Sequence, residues 1–237
     1  MKIVFFLLCS LYWFPAMLAQ EMSGEELLDK SINFHDPNNE WKTFKGTFKV
    51  TMQIPNAPER LSNIEVDLPR ELFTLEVKQD NDSYAYIIDR DSCQISLNGK
   101  TNITEADAKK FRLNCDRGNM YKNYYTYLYG LPMKLKDPGT IIDPIVQKKV
   151  FKGKEYVVLK ATYKADVGDD IWYFYFDPNT FAMEVYQFYH DESKNDGEYI
   201  LLSEMEEVNG VKMPKTRAWY YNKDDKYLGT DVLSAMK

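Results

Sequence analysis

The feature that most constrains this chain is a sustained alternation. Phe44, Gly46, Phe48, Val50, Met52 and Ile54 take the even positions, and Thr43, Lys45, Thr47, Lys49, Thr51 and Gln53 the odd ones. Side chains two residues apart share a face only in an extended strand, so this segment must be a strand with one apolar and one polar side. A half-buried strand needs neighbours, and the sequence supplies them: Ile64, Val66 and Leu68, then Phe73, Leu75 and Val77, then Tyr84, Tyr86 and Ile88. Polar or Pro-containing turns separate these runs, which predicts an antiparallel meander. Further strands are expected over residues 146–151, 155–164, 170–176, 181–190, 198–207, 211–221 and 227–233. Turn residues punctuate them at Gly153, Val167-Gly168, Asp177-Pro178-Asn179, Asn195-Asp196-Gly197 and Asn209-Gly210.

The helical period occurs in two places. Ser23 and Glu26 form a capping box ahead of Leu27, Leu28 and Ile32, and Asp36-Pro37-Asn38 ends that helix. In mid-chain, a short helix from Thr104 to Phe111 precedes a second over 119–129, where Met120, Tyr121, Tyr124, Tyr125 and Leu128 share a face before Gly130 and Pro132. The expected fold is therefore α+β, mainly β. It is a single curved antiparallel sheet of about 10–11 strands forming an open half-barrel, with an N-terminal helix and a central helical insert on its concave face. The opposite face should be more polar.

The chain opens with Lys2, an apolar run from Ile3 to Phe14, and the small residues Ala16 and Ala19. The run is shorter than the roughly 20 residues that cross a bilayer, and the pattern is that of a secretory signal peptide over residues 1–19. This leaves one domain over 20–237, and no second transmembrane candidate. A lipid anchor on Cys9 is disfavoured because Phe6-Leu7-Leu8 lacks a small residue before the cysteine. Export places Cys93 and Cys115 in an oxidising compartment, where a disulfide is the expected pairing and two separate buried thiols the alternative. With 36 acidic against 30 basic side chains and a net charge of −6, nucleic acid is not an expected partner.

The order of helix, long strands, helical insert and further strands resembles the periplasmic lipoprotein-carrier fold of Gram-negative bacteria (Lol-type, LolA/LolB-like). The resemblance in residues is concentrated in Asp170 to His190 (DIWYFYFDPNTFAMEVYQFYH) and Gly210 to Asp231. The chain is also similar to a family of uncharacterised exported proteins at HDPNNEW, YKNYYTYLYGLPMKLKDPGT and MPKTRAWYYNKDDKYLGTD. The resemblance implies a soluble periplasmic protein that binds an apolar ligand between sheet and helices. The ligand would be a lipid, an acyl chain or a lipoprotein anchor.

Strand parity supplies candidate cavity-wall residues: Phe48, Val50, Trp172, Phe174, Phe188 and Trp219. Trp172, Phe174 and Phe176 lie on one side of their strand and Tyr173 and Tyr175 on the other, so that strand needs partners on both sides. One partner could be the helical insert, and the other a second layer or a bound apolar ligand. Tyr121, Tyr124, Tyr125 and Leu128 are candidate lid residues. With Tyr127 and Tyr129, the helix tyrosines could instead be a surface that binds glycan or protein with no cavity beneath. No Gly-x-Ser-x-Gly elbow, phosphate-binding glycine loop or His-Glu-x-x-His motif is present, so neither an enzyme nor a cofactor is expected. His35 and His190 lack the neighbouring ligands of a metal site.

Overall fold

In the computed structural model, which describes residues 22–236, the alternating segment is β1 (Lys45–Gln53). The expected signal peptide and Cys9 lie outside the described residues. On one side of β1 the meander continues through β2 (Arg60–Asp67), β3 (Leu72–Gln79), β4 (Asp82–Asp89) and β5 (Ser92–Leu97). On the other side β1 pairs with the last strand, β13 (Tyr227–Ala235), with Val50 opposite Leu233 and Met52 opposite Asp231. From β13 the sheet runs through β12 (Val211–Tyr221), β11 (Glu198–Val208), β10 (Met183–Tyr189) and β9 (Ile171–Phe176) to β8 (Lys154–Tyr163). The far side of β8 is shared by β6 (Thr140–Ile142) and β7 (Gln147–Phe151).

The described residues thus form one antiparallel sheet of 13 strands, open between β5 and the β6/β7 edge. The two strands beyond the expected eleven are β5 and β6. β5 has a weak apolar pattern, Ser-Cys-Gln-Ile-Ser-Leu, and β6 is only 3 residues long. Both are edge strands, which are commonly short.

The central insert links these two edges. It comprises α2 (Glu105–Phe111) and α3 (Cys115–Tyr129), and α3 lies across the concave face. Tyr121 packs on Tyr86 of β4, Tyr125 stacks over Phe73 of β3, and Tyr129 stacks on Phe48 of β1 with ring centroids 5.0 Å apart. Gly118 permits this close seating, since a Cβ there would stand 2.8 Å from the Tyr86 ring. On the opposite flank Tyr124 stacks against Trp219, while Tyr127 meets Trp172 and bonds the Tyr163 hydroxyl. Met120, expected to share a face with Tyr121 and Tyr125, is instead turned outward. α3 begins four residues before its expected start because the Asn114 side chain accepts from the Arg117 N–H and caps it. A disulfide between Cys115 and Cys93 ties that first turn to β5.

The N-terminal helix α1 (Gly24–His35) carries the capping box expected from Ser23 and Glu26. Its last residue, His35, is fully buried and pins it to the sheet. The Met183 N–H of β10 donates to Nε2 at 3.0 Å, so Nδ1 carries the proton and donates to the Lys212 carbonyl of β12 at 2.7 Å. His35 is therefore a structural neutral imidazole. Burial lowers its pKa to about 4.

The outer face is polar over β1 to β3, as expected, but not over β8 to β11. There Tyr156, Val158, Tyr173, Tyr175 and Val185 form a second apolar cluster. Phe151, at the tip of the β7–β8 hairpin, reaches Tyr175 on β9 and Tyr199 on β11 at 5.1 and 5.2 Å. The Lys149 ammonium sits 4.1 Å from the centroid of the Tyr173 ring. The second partner of the two-faced strand β9 is this folded-over hairpin and its lysine stems.

Two measurements check this architecture. An unfolded histidine titrates near 6.5, so as pH falls the unfolded chain takes up a proton before folded His35 does. The stability due to the neutral ring should be complete above about pH 6.5 and lost as pH falls through about 4, in total about 3 kcal/mol. Urea denaturation across that window should show the slope, and His35→Gln should flatten it. Replacing Cys93 and Cys115 by serine should lower stability by about 3 kcal/mol, because the bridge closes a loop of modest length in the unfolded chain.

Candidate functional site

The candidate site follows from how α3 meets the sheet. The six candidate wall residues fall into two groups. Phe48, Val50 and Phe174 are fully buried core beneath the helices. Trp172, Phe188 and Trp219 are half-buried toward one end of the concave face, where Trp172 stacks on Phe188 at 4.9 Å and Trp219 meets Tyr186. Of the lid candidates, Tyr121, Tyr125 and Leu128 are buried against the sheet and Tyr124 is half-buried. Tyr129 is buried too, so these helix tyrosines do not form an exposed ledge.

Openings lie on both flanks of α3. Between α3 and β8/β9 is a hollow of about 390 Å³ with mixed walls, including Asn123, Thr126, Tyr127, Lys134, Asp170 and Trp172. Between α3 and the junction of β1, β12 and β13 is a cleft of about 230 Å³. Its walls are mainly apolar: Met52, Ile54, Tyr124, Trp219 and Leu228, with Gly229, Thr230, Asp231 and Glu198 completing it. Ile54 is 45% exposed and stands at the rim.

Beneath α3 a polar row crosses the apolar sheet. Pairing places Arg60 beside Met52, Met52 beside Asp231, and Asp231 beside Arg217, on four consecutive strands. Arg217 is completely buried. Its Nη1 donates to the Pro214 carbonyl at 2.7 Å, its Nη2 to the Leu128 carbonyl near the end of α3 at 3.4 Å, and the guanidinium lies 3.8 Å from the Tyr129 ring centroid. Arg60 donates to the Tyr125 hydroxyl at 3.4 Å. Asp231 accepts from the Tyr124 hydroxyl at 3.4 Å through Oδ2. Burial raises the Asp231 pKa, against the opposing pull of Arg217 and Arg60. Burial likewise raises Glu198, against a smaller opposing effect of His190.

Many polar atoms in this seam have no hydrogen-bond partner: Arg60 Nε, Arg217 Nε, Trp219 Nε1, Asp231 Oδ1 and the hydroxyls of Tyr86, Tyr129 and Tyr186. The Trp219 indole is near enough to Asp231 to favour its ionised form, yet Nε1 and Oδ1 do not reach hydrogen-bond geometry. Each such atom costs about 1–3 kcal/mol while it stays buried and unpaired. The seal between α3 and the sheet is correspondingly weaker than its aromatic area suggests.

Sequence reasoning missed Met52, Ile54, Leu228, Glu198 and the charged row. Met52 and Ile54 carry the same parity as Phe48 and Val50, and Arg217 the same parity as Trp219, so alternation marked them as inward. His190 bonds the Asp170 carboxylate at 2.6 Å, and among the described residues no hydroxyl bonds its ring. Nor do the described residues gather three or more His, Cys, Asp or Glu side chains as a metal-ligand set. Among the described residues no helix is long and apolar enough to cross a membrane.

The fold is similar to that of a LolA superfamily protein from Nitrosomonas europaea, with a TM-score of 0.53 and 11% identity, over 91% of this chain and 93% of the other. Two further solved structures are a putative outer membrane lipoprotein-sorting protein domain from Vibrio parahaemolyticus (TM-score 0.46, 8% identity) and a DUF1329 family protein from Desulfovibrio piger (TM-score 0.48, 8% identity). Each is aligned over 90% of this chain and 92% of the other. No curated protein matches. The sequence matches the family described as "Family of unknown function (DUF6503)" over residues 1–235, and the chain belongs to that family.

Proposed function

We propose that this protein is exported and serves as a soluble periplasmic carrier for an apolar chain, from a lipid, an acyl group or a lipoprotein anchor. Export is supported by the charged start, the apolar run of residues 3–14 and the small residues after it. The observation that carries the binding reading is the apolar cleft between α3 and the β1/β12/β13 junction. Each methylene buried there contributes about 0.8 kcal/mol.

The cleft volume decides how a ligand would be held. Ligand pockets usually occupy roughly 300–1,000 Å³, so a cleft of about 230 Å³ accepts one segment of a chain and not a whole lipid. A longer ligand enters if α3 lifts from the sheet, with Tyr121, Tyr124, Tyr125 and Leu128 acting as the underside of a lid. The unpaired polar atoms beneath α3 lower the cost of that opening, since water or a ligand can satisfy them once the helix moves. The structural likeness to a LolA superfamily protein supports the same reading at the level of fold. The proposed activity is binding without turnover.

Protein purified from its own periplasm should retain an apolar molecule, seen by native mass spectrometry and lipid extraction. The delipidated protein should bind a fluorescent acyl probe. Ile54→Asp, at the cleft rim, should weaken probe binding by about tenfold or more with little change in stability, because it puts a charge where the chain enters. Finding no bound molecule and no probe binding would refute the carrier reading.

A further inference from the structure

The carrier reading names an apolar chain but not the group at its end. Asp231 and Glu198 both line the cleft, and among the described residues no lysine, arginine or histidine does. Asp231 is 2% exposed, and its Oδ1 has no hydrogen-bond partner. The neighbouring arginines do not supply one. Arg217 directs its Nη groups to the Pro214 and Leu128 carbonyls, and Arg60 directs Nη2 to Tyr125. Neither is paired with Asp231 among the ion pairs of the described residues. The Tyr124 hydroxyl occupies Oδ2 alone.

A ligand whose apolar segment lies against Met52, Ile54 and Leu228 therefore has beside it Asp231, whose buried Oδ1 lacks a donor. Glu198 stands as a second carboxyl on the wall. A carboxylate head would face two acidic groups and, among the side chains lining the cleft, find no N–H but the Trp219 indole, while an N–H head would complete Oδ1. We infer that the cleft selects amphiphiles headed by an N–H donor, an ammonium or an amide, over those headed by a carboxylate. The inference rests on the carrier reading and adds a head-group preference to it.

The test uses the full mature chain with its disulfide intact. Dodecylamine, N-dodecylacetamide and dodecanoate, each kept below its micelle concentration, compete against a fluorescent acyl probe. The amine, the amide or both should displace the probe about tenfold more effectively than dodecanoate. Whichever is stronger distinguishes an ammonium from an amide head. Asp231→Asn should erase most of that preference. Because two arginines flank Asp231, Glu198→Gln, at a half-buried position, provides a second variant that should narrow it.

Dodecanoate binding as well as or better than both N–H ligands would overturn the inference and leave the carrier reading intact. A preference unchanged in both variants would also overturn it. Failure of all three ligands, together with failure of the acyl probe, would instead remove the carrier reading itself.

Discussion

The structure depends on how an unclosed sheet covers its own apolar hollow. A closed barrel of the same strands would leave no edges. Here the sheet stops at β5 and at the β6/β7 edge, and the chain between those edges must cross the concave side. α3 makes that crossing. It lays Tyr121, Tyr125 and Tyr129 on β1 to β4, and Tyr124 and Tyr127 on the strands of the other half. The disulfide at its first turn fixes one end to β5, so any movement of α3 is greatest away from Cys115.

The interior is otherwise well filled. Phe48, Val50, Phe174 and Phe176 are sealed, and the outer aromatics of β9 are covered by the β7–β8 hairpin. The aromatic richness that left a bound ligand open is thus mainly the packing of two apolar layers on one sheet. What distinguishes the concave side is the polar row through it, Arg60, Asp231 and Arg217, under a helix that leaves part of it unpaired. A carrier has use for a cover that is specific in position yet inexpensive to lift. Aromatic stacking supplies the position, and unsatisfied polar groups reduce the cost of separation.

Much of this was legible in the sequence, for a physical reason. Period-two alternation names the inward residues of a half-buried strand, and the inward set of β1 was read correctly. The capping box of α1 and the Gly130-Pro132 end of α3 were equally plain, because caps use specific donors and acceptors. Three features were not legible. β5 and β6 are edge strands held by pairing more than by burial, so their sequences carry little pattern. The outer side of Tyr173 and Tyr175 was open to either a second layer or a ligand, since no local signal shows that Phe151 folds across it. Arg217 and Asp231 have inward parity but stand 14 residues apart, and only cross-strand register brings them together. Alternation gives the face of a residue, and register gives its neighbours.

The central claim is that α3 is a cover able to leave the sheet while the sheet stays folded. Amide hydrogen exchange, resolved along α3 with the disulfide intact and compared with β1, β12 and β13, tests it most directly. The account predicts that the amides of residues 119–129 exchange through an opening far less costly than global unfolding. A bound acyl chain should change their protection more than that of the strands. If α3 exchanges only when the whole sheet unfolds, with or without the acyl chain, the helix is a fixed plug and the account is wrong.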